Sequence, residues 1–150
     1  MEIREYTEDD REEKEEMHEK TVREVNSRDY SDEKIEAWLT YDPDNAEDDD
    51  RPRWVAEENG EIIGFGDYDP ESGEITGLYV HPEHQGEGIA TELLKKIVSD
   101  ARERGLKELW CHSTVTAKGF YEKKGFENLG AEMYETGGEE LKVFRMEKKL

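Results

Sequence analysis

The sequence of 150 residues contains one cysteine, Cys111. A single thiol forms no intrachain disulfide, which excludes the disulfide-stapled scaffolds of secreted proteins. No apolar run approaches the roughly 20 residues of a membrane span, and the N-terminus lacks the basic start and apolar stretch of a signal peptide. We therefore expect a cytoplasmic protein without a membrane partner.

Basic residues are also scarce: 21 Lys and Arg stand against 41 Asp and Glu, for a formal net charge of −20. Nucleic acids and anionic membranes require a basic surface, so both are excluded as partners. Residues 1–50 hold 7 basic and 21 acidic groups, net −14, against 14 and 20, net −6, over 51–150. Two compatible explanations stay open. One is a solvated acidic coat of the halophilic type, screened in salt; the other is an acidic cleft that concentrates cationic amines.

The apolar periodicity predicts one mixed α/β domain in the order β-α-α-β-β-β-α-β-α-β-β. A hairpin turns at Asn59-Gly60, an amphipathic helix runs from Gly88 to Gly105, and a final hairpin turns at Gly137-Gly138. The sequence also predicts a strand at 2–6 with Thr7 as a helix N-cap, helices over 8–26 and 31–40, an exposed loop at 41–52, a strand at 106–113 and a short helix at 116–125.

The segment HPEHQGEGIATELLKK, residues 81–96, is a glycine-containing turn between a strand and a helix. Unpaired N–H groups at a helix N-terminus bind anions, and glycine leaves the backbone open to a phosphate. No Gly-Lys-Ser/Thr follows, so the turn is not a Walker A motif, and QGEGIA does not match the dinucleotide fingerprint. The presence of Glu87 in a phosphate turn calls for an explanation.

Two motifs resemble those of one family. LYVHPEHQGEGIATELL is similar to the acyl-CoA signature Q/R-x-x-G-x-G/A of the GNAT acetyltransferase superfamily, and TAKGFYEKKGF is similar to its second signature. The resemblance implies a single GNAT domain over 1–150, with a mixed, mostly antiparallel sheet flanked by helices. Its parts are acceptor-side helices in 1–50, an acetyl-CoA-binding core in 54–130 and a C-terminal hairpin in 126–148.

The resemblance also implies how acetyl-CoA is held, with no metal. The backbone of Leu78, Tyr79 and Val80 would pair with the pantetheine amides. Thr116 stands where many relatives have an asparagine that binds the pantetheine, and Lys123 or Lys124 would reach the 3′-phosphate unless they only form a solvated helix face. The pyrophosphate would be held by the amides of Gln85, Gly86, Glu87, Gly88, Ile89 and Ala90, with the hydroxyl of Thr91.

Two side chains are expected to carry the chemistry. By its place in the second signature, Tyr121 would donate a proton to the departing thiolate as general acid. Glu74, at the start of a strand, is the expected base. The alternatives are Asp67, Tyr68 and His112, since a histidine suits a base near neutral pH. An amine with a low pKa would need no dedicated base.

Other candidates have a structural interpretation. Cys111 is more easily explained as a small buried residue on a strand than as an acetyl carrier. His81 and His84 form an H-x-x-H pair without a third convincing ligand, which argues against a metal site. The aromatic residues of the acceptor side, which pack in the core or line the acceptor pocket, are Tyr30, Trp38 and Tyr41.

The function expected from this resemblance is transfer of an acetyl group from acetyl-CoA to a primary amine of a small molecule or a protein, by direct attack on the thioester. The alternative is a non-catalytic acyl-CoA-binding or regulatory module. Many relatives pair as dimers, so a homodimer is a possible assembly.

Overall fold

The computed structural model describes residues 1–40 and 50–150. In chain order the elements are β1 (Glu2–Glu5), α1 (Arg11–Glu24), α2 (Asp32–Thr40), β2 (Arg53–Glu58), β3 (Glu61–Asp69), β4 (Glu74–Val80), α3 (Ile89–Glu103), β5 (Glu108–Thr114), α4 (Lys118–Lys123), β6 (Glu127–Thr136) and β7 (Glu139–Lys149). The predicted order is confirmed. Tyr41 and most of the loop predicted at 41–52 lie outside the described residues.

One seven-stranded sheet has the strand order β1-β2-β3-β4-β5-β7-β6. Every neighbouring pair is antiparallel except β4 and β5. The predicted mixed, mostly antiparallel sheet with flanking helices is therefore confirmed. Within the described parts of the chain, no helix is long and apolar enough to cross a membrane.

The two N-terminal helices cover one face of this sheet. Met17 of α1 packs against Val55, Ile62 and Phe65 of the β2–β3 hairpin. The first helix is shorter than predicted, because a 3₁₀ turn at Glu8–Asp10 precedes Arg11 and another at Asn26–Arg28 follows. The buried stripe predicted for α1 is confirmed: it consists of Met17, Thr21, Val22 and Val25.

The third helix covers the opposite face. Leu93 and Ile97 of α3 are fully buried against Gly64 and Gly66 of β3. A Cβ added at Gly64 would lie 3.0 Å from the side chain of Ile89, so glycine is what lets the helix approach the strand so closely. This contact fixes the position of the α3 N-terminus beside the end of β4.

The parallel strands β4 and β5 are paired at one position only, Glu74 opposite Trp110. The N–H of Trp110 also donates to the carbonyl of Gly73, at 3.0 Å. Beyond this point the strands have no further paired residues, and each continues next to its other neighbour, β3 or β7. The sheet therefore opens into a wedge toward the C-terminal ends of β4 and β5.

Candidate active site

A cleft of about 420 Å³ occupies this wedge. Its walls are β4, the turn that precedes α3, β5, α4 and the C-terminal end of α1. Although 41 of the 150 residues are acidic, none of the described residues that line the cleft is Asp or Glu, and Lys123 and Lys124 belong to the lining. The cleft can therefore accept an anion in a strongly acidic chain.

The β4 wall has a defined backbone polarity. The N–H of His81 donates to the carbonyl of Ile63 at 2.8 Å, and alternate residues of an antiparallel pair point their backbone groups to opposite sides. With the observed register, Leu78 and Val80 direct their N–H and C=O groups toward the cleft, whereas those of Tyr79 point to β3. The backbone role predicted for Tyr79 therefore does not fit.

The carbonyl of Val80 already has partners. It accepts hydrogen bonds from the side-chain amide of Gln85, at 2.7 Å, and from the hydroxyl of Thr21, at 3.2 Å. Gln85 thus uses its side chain to hold the turn against β4. Of the three strand residues predicted to bind pantetheine, Leu78 directs its backbone groups into the cleft, beyond the one position at which β4 and β5 are paired.

A bulge in β4 was missed by the sequence reasoning. Asp67 pairs with Gly77 and Tyr68 with Ile75, so Thr76 is an extra residue in the strand. The Thr76 hydroxyl donates to Asp67 Oδ1 at 2.6 Å, and a Cβ at Gly77 would lie 2.9 Å from the same oxygen. The signal was present in EITGLYV, because an isolated glycine inside a strand indicates a bulge or a close backbone approach.

The turn before α3 has the conformation that its glycines predict. Gly86 has φ 78° and Gly88 has φ 81°, a region that other residues rarely adopt. No atom lies within 4 Å of a Cβ built at either position, so the backbone is open on that side. Except for Glu87, all the residues predicted to hold the pyrophosphate line the cleft: Gln85, Gly86, Gly88, Ile89, Ala90 and Thr91.

The side chain of Glu87 is outside the cleft and turns to a histidine. Its Oε1 lies 3.1 Å from Nδ1 of His84, and Oε2 of Glu58 lies 3.8 Å from the same nitrogen. The hydrogen bond to Glu87 raises the pKa of His84, so a histidinium can offset the carboxylate beside the turn. One ring nitrogen of His84 and one carboxylate oxygen each of Glu58 and Glu87 lie within 4.8 Å of one another. Sequence spacing had paired His84 with His81 and missed both glutamates.

Tyr121 is buried at the cleft, as its predicted role requires. It lies close enough to Cys111 for the two groups to affect each other's pKa, and its ring packs edge-on against Phe120 and Phe126. Burial raises the pKa of the phenol well above its usual range, which keeps it protonated at neutral pH. Burial also raises the pKa of the Cys111 thiol to about 12, so this cysteine is a poor nucleophile.

The candidate bases differ in position. Asp67 is fully buried and ion-paired with Arg53, at 2.5 Å. The hydroxyl of Tyr68 donates to Asp100 of α3, on the opposite face of the sheet. Neither side chain lines the cleft, so the geometry does not support either alternative. His112 lines the cleft, with its Nε2 3.1 Å from Oε2 of Glu132.

Glu74 lies at the closed end of the wedge, at the one position where β4 is paired with β5. It does not line the cleft, but it is close enough to Cys111 to raise the pKa of that thiol. Its own pKa is raised above the usual range, mainly by burial.

The remaining candidates are held by the fold. Thr116, the predicted pantetheine contact, lines the cleft, and its hydroxyl donates to Asp29 at 2.7 Å. The Tyr30 hydroxyl donates to the carbonyl of Lys142 at 2.6 Å and accepts from the N–H of Val115 at 2.9 Å. Trp38 packs edge-on against Tyr30. Neither aromatic residue lines the cleft, which supports the core interpretation for both.

Sequence reasoning missed the contribution of α1 to the cleft. Thr21, Val25 and Asn26 line it from the end of this helix and the turn that follows. The apolar stripe of α1 had marked Thr21 and Val25 only as buried positions. No motif singles out Asn26, because its importance depends on what the folded chain places around it.

Comparison with known proteins agrees with this geometry. The family model described as acetyltransferase (GNAT) domain matches residues 26–150. The uncharacterized N-acetyltransferase YjgM of Escherichia coli K12 is 32% identical over an alignment of 99 residues, with coverages of 60% of this chain and 59% of that protein. The matched region thus spans less than two thirds of this relative.

Two solved structures are similar over nearly the whole chain. A GCN5-related N-acetyltransferase from Rhodopseudomonas palustris has a TM-score of 0.89 at 26% identity, covering 99% of this chain and 95% of that one. The PaiA N-acetyltransferase of Thermoplasma acidophilum, solved in complex with coenzyme A, has a TM-score of 0.73 at 24% identity, with coverages of 99% and 98%. The latter likeness supports the fold.

Proposed function

The chain belongs to the GNAT acetyltransferase family, and we propose that it transfers the acetyl group of acetyl-CoA to a primary amine of a small molecule or a protein. The observation that carries the proposal is the cleft between β4 and β5. It has no described carboxylate in its lining although the chain has a net charge of −20, and it leads from an open glycine turn to a buried tyrosine.

The residues of this chain fit acetyl-CoA. The amides of the turn and the N-terminus of α3 attract the pyrophosphate, and the open space at Gly86 and Gly88 lets a phosphate approach the backbone. The backbone of Leu78 is available to the pantetheine. The Thr91 hydroxyl would assist the amides, and Lys123 would bind the 3′-phosphate.

Acetyl-CoA supplies an activated acetyl group: the amine nitrogen bonds to the acetyl carbon, the carbon–sulfur bond breaks, the amine loses a proton and the sulfur gains one. Tyr121 would supply the proton that the sulfur needs: a phenol is protonated at neutral pH, and burial raises the pKa of this one further. In the free protein this phenol lies near a sulfur, that of Cys111, in the lining of the cleft.

Removal of the amine proton is assigned to Glu74 acting through water. Its raised pKa improves it as a base, and its position at the closed end of the wedge, outside the cleft lining, favours action through a water molecule. The demand on this base is small for an amine of low pKa. The acceptor amine therefore decides how much Glu74 contributes.

The replacement Tyr121→Phe tests the proposal. It removes one hydroxyl and keeps the ring packing, and we expect kcat to fall about 100-fold or more while the Kd for acetyl-CoA is unchanged. Thiol release from acetyl-CoA is measured against amino acids, short peptides, polyamines and aminoglycosides, in dilute buffer and in molar KCl. Isothermal titration calorimetry gives the Kd.

Tyr68→Phe is the matched control, because it also removes a buried, hydrogen-bonded tyrosine hydroxyl, on the opposite face. This variant should lose stability and keep kcat. A full rate in Tyr121→Phe would remove the tyrosine from the mechanism. Binding of acetyl-CoA without turnover of any amine would favour a non-catalytic acyl-CoA-binding module.

A further inference from the structure

Three side chains beside the glycine turn lie close enough together to bind one metal ion. Nδ1 of His84 lies 3.1 Å from Oε1 of Glu87 and 3.8 Å from Oε2 of Glu58. Within residues 1–40 and 50–150, no other three histidine, cysteine or acidic side chains bring their ligand atoms within 4.8 Å of one another. The chain has 41 acidic residues, so a high density of carboxylates does not by itself produce such a group.

The spacing and the ligand atoms suit a divalent transition-metal ion. Nitrogen and oxygen ligands lie about 2.0–2.2 Å from Zn²⁺, so two ligands of a tetrahedral site are about 3.4 Å apart. The distances from Nδ1 of His84 to the two glutamates, 3.1 and 3.8 Å, lie on either side of this value. One imidazole with two carboxylates suits zinc, cobalt or nickel, whereas magnesium and calcium prefer oxygen ligands alone.

Two of the three ligands are held in place by the backbone of the sheet. Glu58 is the last residue of β2 and pairs with Glu61 across the hairpin. The N–H of His84 donates to the carbonyl of His81 at 2.9 Å, and the N–H of His81 donates to the carbonyl of Ile63 of β3 at 2.8 Å. Glu58 and His84 are therefore brought together through β3, and a site on fixed elements is more precise than one on free loops.

The second histidine of the turn, His81, is not a fourth ligand. Its Nδ1 accepts a hydrogen bond from the N–H of Glu83 at 3.1 Å, so in the neutral ring the proton is on Nε2. That nitrogen lies 3.7 Å from Oε1 of Glu61. Neither nitrogen of His81 has a lone pair available to a metal, and water would complete the coordination of the ion.

The charges around the three side chains also indicate a cation. Within the described part of the chain, His84 is the only basic side chain within ion-pair distance of Glu58 or Glu87. By contrast, Glu57, the neighbour of Glu58 in β2, is ion-paired with Arg4 at 2.7 Å. Two carboxylates beside a turn that accepts phosphates repel them, and one divalent ion would neutralise both. Because His84 lines the cleft, this neutralisation would act where a phosphate binds.

We propose that His84, Glu58 and Glu87 bind a divalent transition-metal ion such as Zn²⁺, and that the bound ion strengthens the binding of acetyl-CoA. The ion would add two positive charges at the edge of the turn that is proposed to hold the pyrophosphate. It acts on binding and takes no part in the chemistry assigned to Tyr121. The metal site itself is independent of the proposed function, and only its effect on acetyl-CoA rests on it.

Binding of the ion is measured first, without acetyl-CoA. Untagged protein is freed of metal with EDTA, dialysed and titrated with Zn²⁺ by calorimetry in excess Mg²⁺, which occupies the carboxylates of the acidic surface. We expect one Zn²⁺ per chain. Glu58→Gln and His84→Ala should each weaken this binding at least as much as the loss of an outer-shell partner does, about 10- to 100-fold. The ion and a proton compete for Nδ1 of His84, so the EDTA-treated protein is the metal-free reference.

Two exposed glutamates near the site provide matched controls. Glu61→Gln and Glu83→Gln each remove one negative charge but no ligand of the proposed site. Both variants should keep the affinity for Zn²⁺ within about twofold of the parent value, as expected for a surface charge. Binding of several Zn²⁺ ions per chain, or equal binding by the parent and all four variants, would identify zinc as a diffuse counter-ion and overturn the proposal.

The effect on acetyl-CoA is measured next. Saturating Zn²⁺ should lower the Kd for acetyl-CoA about three- to tenfold in dilute buffer and very little in molar KCl. Acetyl-CoA should raise the affinity for Zn²⁺ by the same factor, because coupling between two sites is reciprocal. The thioester leaves no free thiol to bind zinc, and any zinc bound by the phosphates in solution would affect Glu58→Gln equally.

The outcomes distinguish the two proposals. A Kd for acetyl-CoA that does not change when Zn²⁺ binds at His84 overturns the coupling and leaves acetyl transfer standing. An equal change in the parent and in Glu58→Gln overturns it as well, since the zinc would then act from solution. Zinc binding that depends on Glu58 and His84 in a protein that binds no acetyl-CoA supports the metal site and overturns the proposed function.

Discussion

Along the exposed side of α1, Glu12, Glu15 and Glu16 stand within about one turn of each other, whereas the cleft that begins at the end of the same helix has no described Asp or Glu in its lining. If the acidity served to attract a cationic amine, carboxylates would be expected inside the cleft. Among the described residues they lie outside it. The comparison favours a solvated acidic coat over an acidic substrate site.

Placing one carboxylate inside the cleft should have the largest effect. Ala90→Asp adds a charge at the second residue of α3, where an acidic side chain suits the helix dipole and the fold is retained. Near a phosphate, at about 5 Å and an effective dielectric constant of 20, the repulsion is about 3 kcal/mol. We expect the Kd for acetyl-CoA to rise about 100-fold in dilute buffer.

Ser99→Asp is the matched control for this variant, since it adds the same charge at an exposed position of the same helix. Calorimetry should find the Kd of this variant for acetyl-CoA within about twofold of the value for the parent protein, as expected for a surface charge. Equal losses of affinity in the two variants would mean that total charge, and not the charge of the cleft, controls binding.

The cleft itself was only partly predictable from the sequence. The glycine turn and Tyr121 depend on local motifs, and the structure brings both to the wedge. The orientation of Tyr79 depends on its register with β3, and His84 lies near Glu58 of β2 as well as near Glu87 of its own turn. The register and the contact with Glu58 join segments that are far apart in the chain, so no local pattern records them.

His84 lies beside Glu87 and lines the cleft, so its titration should make the binding of acetyl-CoA depend on pH. Because its pKa is raised in the folded chain, His84 keeps its positive charge to a higher pH than a free histidine does, and loses it as the pH rises through the raised value. The affinity for acetyl-CoA should fall across that interval, by about two- to fivefold. Calorimetry between pH 6 and 9 measures the change.

Glu87→Gln sharpens this prediction. Without the carboxylate that mainly raises it, the pKa of His84 falls, so the loss of affinity should move to lower pH, and acetyl-CoA should bind more tightly above that interval. Glu83→Gln, an exposed neighbour in the same turn, should leave the profile in place. A profile shared by the parent and Glu87→Gln would exclude the pair as its origin.

The acidic coat should give the smallest effect, and in stability alone. Glu12, Glu15 and Glu16 are like charges three and four residues apart on an exposed helix face, which destabilise a helix slightly. Their joint replacement by Gln should raise Tm by about 1–3 °C in dilute buffer. In molar KCl, where the Debye length is about 3 Å, the difference should disappear, and the Kd for acetyl-CoA should be unchanged in both. Salt screens the repulsion between charges but does not change helix propensity. A gain in Tm that persists in molar KCl would therefore come from helix propensity, and a change in the Kd for acetyl-CoA would mean that the charges of the coat act on the cleft.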